Sequence, residues 1–155
     1  RIVAVDIGDY NSTECKRGLT TKAKFQIFSY QFWLALSWLI GTLGATGLAD
    51  WMVRTMAQKM RCPTPASGIR WQMNYPYAMQ WFGTAGGLKH AAPVQLPMPL
   101  LFVYGERKPF MFHSDRWLEK IAAHPGSRVE GFDTGHWVMS NKPEQFNALL
   151  KEWLV

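Results

Sequence analysis

The sequence predicts an α/β fold with a mostly parallel sheet, and three observations predict it. The last third alternates short apolar strands with amphipathic helices. The chain opens on another β-branched run, closed by a polar turn. The long stretch between them is charge-poor, aromatic-rich and helical in pattern. Strands separated by helices favour parallel pairing through crossover connections.

Taken in order, Ile2 to Val5 reads as a buried parallel strand ending in the turn Asp6-Ile7-Gly8-Asp9. Residues 10–24 are polar and basic and read as a loop. From Phe25 to Ala49 there is no charged residue, with Lys22 and Lys24 in front. Length alone would admit a membrane span. Polar Gln26, Ser29, Gln31, Ser37, Thr42 and Thr46, with Gly41, Gly44 and Gly47, favour a buried or capping helix, well patterned over 27–40. That helix is apolar nearly all round, so it must be covered. Trp51 to Arg61 is amphipathic, with Met52, Val53, Met56, Ala57 and Met60 on one face, and Cys62-Pro63-Thr64-Pro65 stops it. Residues 69–82 are dense in aromatics, and 83–87 and 92–99 read as linkers. Leu100 to Tyr104 is a strand ended by Gly105, residues 114–123 a helix, and 128–132 a strand. Asn141, with Glu144 three residues on, has capping-box spacing for a final helix that buries Phe146, Leu149, Leu150 and Trp153.

The chain has 155 residues, 48% of them hydrophobic and 14% aromatic, which excludes a disordered polypeptide. The formal charge of +6 raises the question of nucleic acid. The basic residues are dispersed and no nucleic-acid motif accompanies them, so a solvated basic surface is expected and no nucleic-acid partner. Cys15 and Cys62 cannot make a disulfide framework and no signal peptide is visible, which suits a reducing, cytoplasmic setting. Asn11-Ser12-Thr13 is a sequon of the kind that arises by chance. His90, His113 and His124 lack metal-ligand spacing, and no metal is expected.

Ligands of open parallel sheets gather at the carboxyl ends of the strands. Three turns qualify: Asp6 to Asp9, Gly105 to Lys108, and Asp133 to Trp137. Only the third carries a general base, His136.

Here the sequence resembles a family. The run from Pro97 to Glu106, the following helix, Val129-Glu-Gly-Phe-Asp-Thr-Gly-His-Trp137 and Lys142-Pro-Glu-Gln-Phe146 resemble the C-terminal end of an α/β-hydrolase. The resemblance implies strands six to eight of that fold: residues 1–9 carry strand six, 10–92 an inserted helical cap, and 93–155 the C-terminal core. It implies that His136 is the catalytic histidine. The His-Trp pair and the aromatic cap are most similar to the epoxide hydrolase and dehalogenase branch, with an esterase-like chemistry as the neighbouring option.

Two departures accompany the resemblance. The sequence contains no G-x-S-x-G and no G-x-D-x-G; Thr46, Ser67 and Thr84 have glycine neighbours without that spacing. The nucleophile, serine or aspartate, is therefore expected from an N-terminal half of the fold not among these residues, and the chain alone is expected to be inactive and prone to aggregate. Second, the turn after the penultimate strand reads Gly105-Glu106-Arg107-Lys108, with Lys108 where the family usually has an acid; a cation there would repel a histidinium. Some relatives place the acid after strand six in a Val-Asp-Ile turn, and this chain has Val5-Asp6-Ile7. Asp6 is the preferred acid, with Asp9 and Glu106 as alternatives, while Asp133 is expected only to shape its turn.

The expected activity is hydrolysis of an ester, epoxide or similar small apolar molecule through a covalent intermediate. Tyr75 and Tyr77 are candidate substrate-binding phenols and Trp137 a candidate pocket wall. No cofactor is implied. The rival reading is a catalytically inactive hydrolase-like scaffold or interaction domain, or a protein associated with a membrane through residues 25–49.

Overall fold

The computed structural model of the chain describes residues 1–87 and 95–155; His90 and the start of the expected 92–99 linker lie outside them. The fold is mixed α/β, with a three-stranded parallel sheet and seven α-helices among the described residues. The chain forms two compact units, Arg1–Ala23 with Val94–Val155, and Lys24–Pro93.

In the sheet unit the strands are β1 (Ile2–Val5), β2 (Leu100–Gly105) and β3 (Arg128–Phe132), in spatial order β1-β2-β3. Ile2 lies opposite Leu100 and Val5 opposite Val103; on the other side Leu101 lies opposite Arg128 and Gly105 opposite Phe132. Central β2 is apolar at each position from Leu100 to Val103 because both of its faces are covered. Alternation along the strand sends Leu101 and Val103 to one face, onto Phe146, Leu149 and Trp153 of α7 (Pro143–Leu154). Leu100 and Phe102 go to the other, onto Trp117 and Ile121 of α5 (Asp115–Ala122).

Two helices lie in the stretch expected to be a loop. α1 (Thr13–Gly18) begins at Ser12, whose hydroxyl oxygen accepts the Cys15 N–H, and α2 (Thr21–Thr42) begins after Thr20, whose hydroxyl accepts the Ala23 N–H. These side-chain caps satisfy amides that a first turn leaves free, which lets a polar sequence enter a helix. The start of the last helix also differs from expectation. Asn141 ends α6 (Val138–Asn141) and its side-chain amide donates to Thr134 Oγ1 at 2.9 Å, so it does not cap α7, which opens on Pro143. Proline suits a first helical turn because its missing N–H would be unpaired there.

The helical unit contains most of α2, with α3 (Thr46–Lys59) and α4 (Tyr75–Phe82). Leu34 of α2, Val53 of α3 and Ile69 form its core, with Trp33, Trp71 and Tyr77 against them. Trp33 Nε1 donates to the Met52 carbonyl at 3.0 Å, and Asn74 donates to Ser37 Oγ at 3.0 Å. Asp50 accepts from the Trp71 amide and from Arg54 and Arg70. Within this chain α2 is not covered all round: Phe25, Phe28, Phe32 and Leu39 are exposed. Met60, expected on the buried face of α3, is exposed as well. Among the described residues no helix is long and apolar enough to cross a membrane.

Candidate functional site

Three turns meet at the carboxyl end of the sheet. β1 runs into Asp6, whose N–H still donates to the Val103 carbonyl at 2.7 Å, so parallel pairing continues one residue past the strand. Asp6 then takes a left-handed backbone, φ +49°, which costs a non-glycine residue on the order of 1 kcal/mol and which Asp tolerates better than most. At the far side of β2, the Glu106 amide donates to Phe132 O and the Arg107 amide to Thr134 O, both at 2.9 Å. Glycine is required at Gly105, because a Cβ there would collide with the Gly135 carbonyl. That absence lets the turn after β3 lie directly on the end of β2. Thr134, buried and held by Asn141, fixes the same turn.

His136 is thereby delivered to Asp6. Its Nδ1 lies 2.5 Å from Asp6 Oδ2, across 130 positions of sequence. The Asp6 side chain is 1% exposed and the His136 side chain 38%. With Nδ1 committed to the carboxylate, Nε2 is the nitrogen left for chemistry. Phe112 lies edge-on to the imidazole with ring centroids 5.6 Å apart, and Trp137 with centroids 4.7 Å apart.

The second oxygen of Asp6 is also occupied. Lys108 Nζ forms an ion pair with Oδ1, and the lysine side chain is only 5% exposed. The sequence expectation set Lys108 against the histidine; the structure places its ammonium on Asp6, so one carboxylate binds both groups. Burial pushes the Lys108 ammonium below the ordinary lysine range, opposed by its hydrogen bond and charge contact with Asp6. The ammonium also sits 5.3 Å from the centre of the Phe112 ring, a cation–π contact.

The remaining candidates fall elsewhere. Asp9 accepts from the Ser114 amide at 2.8 Å, the Ser114 hydroxyl at 2.6 Å and the Ser12 hydroxyl at 2.8 Å. Burial pushes its pKa up, yet the bonds from Ser114 and Ser12 outweigh this and hold it below the usual aspartate value. Glu106 is exposed, its carboxylate beside Gly131 of β3. Asp133 pairs with Arg107 at 2.6 Å in solvent. Asp6 is thus the candidate acid that the structure brings to His136. Tyr75 and Tyr77 belong to the helical unit. There Tyr75 is exposed, and Tyr77 packs on its core and lies edge-on to Tyr30.

Sequence reasoning missed the surroundings of Lys108. His113 is buried, and its ring meets Phe102 and Tyr104 edge-on at 5.1 and 4.6 Å. Burial, then the Lys108 charge, push its pKa below the ordinary histidine value, with Asp6, Asp9 and Asp115 acting against them. The signal was present in the run Phe110-Met-Phe-His113, which is apolar for a loop between a strand and a helix. The same loop and α1 enclose a cavity of about 310 Å³ lined by Cys15, Leu19, Phe110, Met111 and His113. Burial pushes the Cys15 thiol up, so it is not activated as a nucleophile. Among the described residues no cluster of histidine, cysteine and acidic side chains could hold a metal ion.

An imidazole gripped through Nδ1 by a buried carboxylate can use Nε2 to take a proton from water or a hydroxyl and return it to a leaving group. Comparison of the chain with protein-family models, curated proteins and solved structures finds no match.

Proposed function

We propose that the chain carries the base and the orienting acid of a hydrolase of the α/β-hydrolase type, acting on an ester, epoxide or similar small apolar substrate. The observation that carries this reading is the Asp6–His136 pair at 2.5 Å, assembled from the turns after β1 and β3. The helical unit falls between β1 and β2 in chain order, which is where a cap is inserted in that fold. The nucleophile is a serine or aspartate of a segment outside these 155 residues. A serine hydroxyl attacking an ester passes its proton to His136 and expels the alcohol, which takes that proton. An aspartate carboxylate attacking an epoxide breaks the ring C–O bond, and the freed oxygen takes a proton from solvent. Each leaves an ester linking substrate to protein. His136 Nε2 then removes a proton from water as the water oxygen attacks that ester carbonyl. The ester C–O bond breaks, and the departing oxygen takes the proton back from His136. Asp6 holds the tautomer with the proton on Nδ1 and stabilises the imidazolium that forms. Trp137 and Phe112 wall the imidazole with apolar surface.

The test is hydrolysis of p-nitrophenyl acetate and of styrene oxide by the polypeptide that carries this chain. His136→Ala should lower kcat by at least about a thousandfold. Asp6→Asn should cost a comparable factor, and Glu106→Gln little. Full activity in His136→Ala sinks the assignment. A folded wild type inert toward both substrate classes favours a scaffold that has kept the shape without the activity.

A further inference from the structure

We propose that Lys108 is a positioning residue: bound to Oδ1 of Asp6, it fixes the carboxylate that grips His136 and lowers the proton affinity of the imidazole below what Asp6 alone would confer.

The geometry makes this a three-body device. One buried carboxylate has two oxygens, Oδ1 on Lys108 Nζ and Oδ2 on His136 Nδ1. A carboxylate held at one oxygen can still rotate about its Cβ–Cγ bond; held at both, it cannot. The ammonium also cancels the charge that would otherwise attract a proton to the imidazole, and burial leaves little water to screen the Lys108–Asp6 contact.

The other charges near the triad are accounted for. His113 adds little positive charge, because burial and Lys108 disfavour its protonated form. Asp9 is spent on Ser12 and Ser114. Asp133, three residues before His136, is paired with Arg107 in solvent. Asp115 is at the first turn of α5 and contributes to the field at His113. Lys108 is the cation in direct contact with Asp6.

As a contribution to catalysis the inference rests on the hydrolase reading above; as a statement about titration it does not, and the experiment uses the titration. The imidazole resonances of His136 are followed against pH in the isotopically labelled polypeptide that carries this chain. Lys108→Met, which keeps an unbranched apolar stem and removes the charge, should raise the His136 midpoint by about one pH unit. In an Asp6→Asn background the same substitution should move it by less than half as much, because the carboxylate through which it acts is gone. In the unmutated chain the Lys108 15Nζ resonance should inflect at the His136 midpoint, a reading that needs no variant to fold. An unmoved or lowered midpoint in Lys108→Met, an equal shift in both backgrounds, or a flat Lys108 signal would each overturn the proposal. None of these readouts involves a substrate, so an inert enzyme with a coupled titration refutes the hydrolase reading and leaves this one standing. An active enzyme with an uncoupled lysine does the reverse.

Discussion

In the sheet unit, Leu100 to Val103 of β2 are at most 3% exposed, whereas α2 of the helical unit leaves Phe25, Phe28 and Phe32 at 70%, 50% and 40%. Both segments are strongly apolar. A strand has two faces, and one helix on each covers it completely, α7 on Leu101 and Val103, α5 on Leu100 and Phe102. A helix has a full circumference. In α2, Leu34 and Ala35 are buried while part of the circumference stays open. The exposed rings partly cover themselves: Phe28 stacks on Phe32 at 5.9 Å, and Trp81 meets them edge-on at 5.0 and 5.8 Å. Equal hydrophobicity in sequence therefore gives unequal stabilisation.

The largest expected effect tests that contrast directly. Phe102→Ala should destabilise the sheet unit by about 3–5 kcal/mol, through lost transfer energy and a cavity beneath Trp117. Phe28→Ala should cost the helical unit under about 1 kcal/mol, mostly through its ring contacts. Chemical denaturation followed by residue-resolved hydrogen exchange separates the two. Equal losses would mean that the exposed rings of α2 stabilise the fold as a core does.

Next comes Gly105→Ala. The added methyl meets the Gly135 carbonyl, so either the turn carrying His136 retreats or β2 shifts. A cost of about 1–3 kcal/mol is expected, with lengthening of the Asp6–His136 contact. A crystal structure of the variant with that contact unchanged would show that the turn is positioned without the close approach. A Gly83→Ala change at the end of α4, where a Cβ meets open space, should leave the sheet unit untouched and strain only its own turn, φ +67°.

How much of this was legible in the sequence follows from the range of each interaction. The strands were readable because β2 needs four consecutive apolar residues to face two helices, and that requirement is written locally. The helices α1 and α2 were partly hidden because Ser12 and Thr20 cap them with a single hydroxyl each, a signal easily lost in a polar run. Asn141 and Glu144 have the spacing of a capping box, but a tertiary partner, Thr134, took the asparagine side chain. At the candidate site, His136 was singled out by its turn at the carboxyl end of a strand and then by family resemblance, and Asp6 by the resemblance. The contact of Lys108 with Asp6, 102 positions away, was not legible locally, because the lysine was weighed against His136 alone.

Each unit is also tied by one carboxylate that receives three donors, and this sharpens the comparison at smaller scale. Asp9 binds the hydroxyls of Ser12 and Ser114, so their lone pairs are free to accept the Cys15 and Trp117 amides that begin α1 and α5. Asp50 binds the Trp71 amide, Arg54 and Arg70. Asp9→Ala and Asp50→Ala should each cost roughly 1–2 kcal/mol, in separate units. Hydrogen exchange at Cys15 and Trp117 reports the first, and at Trp71 the second. Protection lost in both units from either change would deny them independent stability.

The smallest effect is the pH dependence, and it should differ between units. His113 lies in the sheet unit, and its pKa is held below the ordinary histidine value of 6.5, chiefly by burial. The unfolded chain therefore takes up its proton first as pH falls. The stability His113 contributes is fully present above 6.5 and is lost on descent from there toward the folded value. One proton sets a ceiling of about 1.4 kcal/mol per pH unit. The described residues of the helical unit include no histidine. Its acid response comes from Asp50, held below the ordinary aspartate value of 3.8 first by the Trp71 amide, then by Arg70 and Arg54 against burial. The stability from Asp50 is present above 3.8 and is lost as pH falls through its folded value, and Asp9 gives the sheet unit the same late loss. Between pH 6.5 and 4.5, then, hydrogen exchange corrected for intrinsic rates should show the sheet unit weakening while the helical unit holds. His113→Phe should flatten the response of the sheet unit, since a buried ring without a titrating nitrogen packs against Phe102 and Tyr104 with no proton to take up. Parallel weakening of both units over that interval would show that they unfold together, and that the contrast in their packing does not extend to their stability.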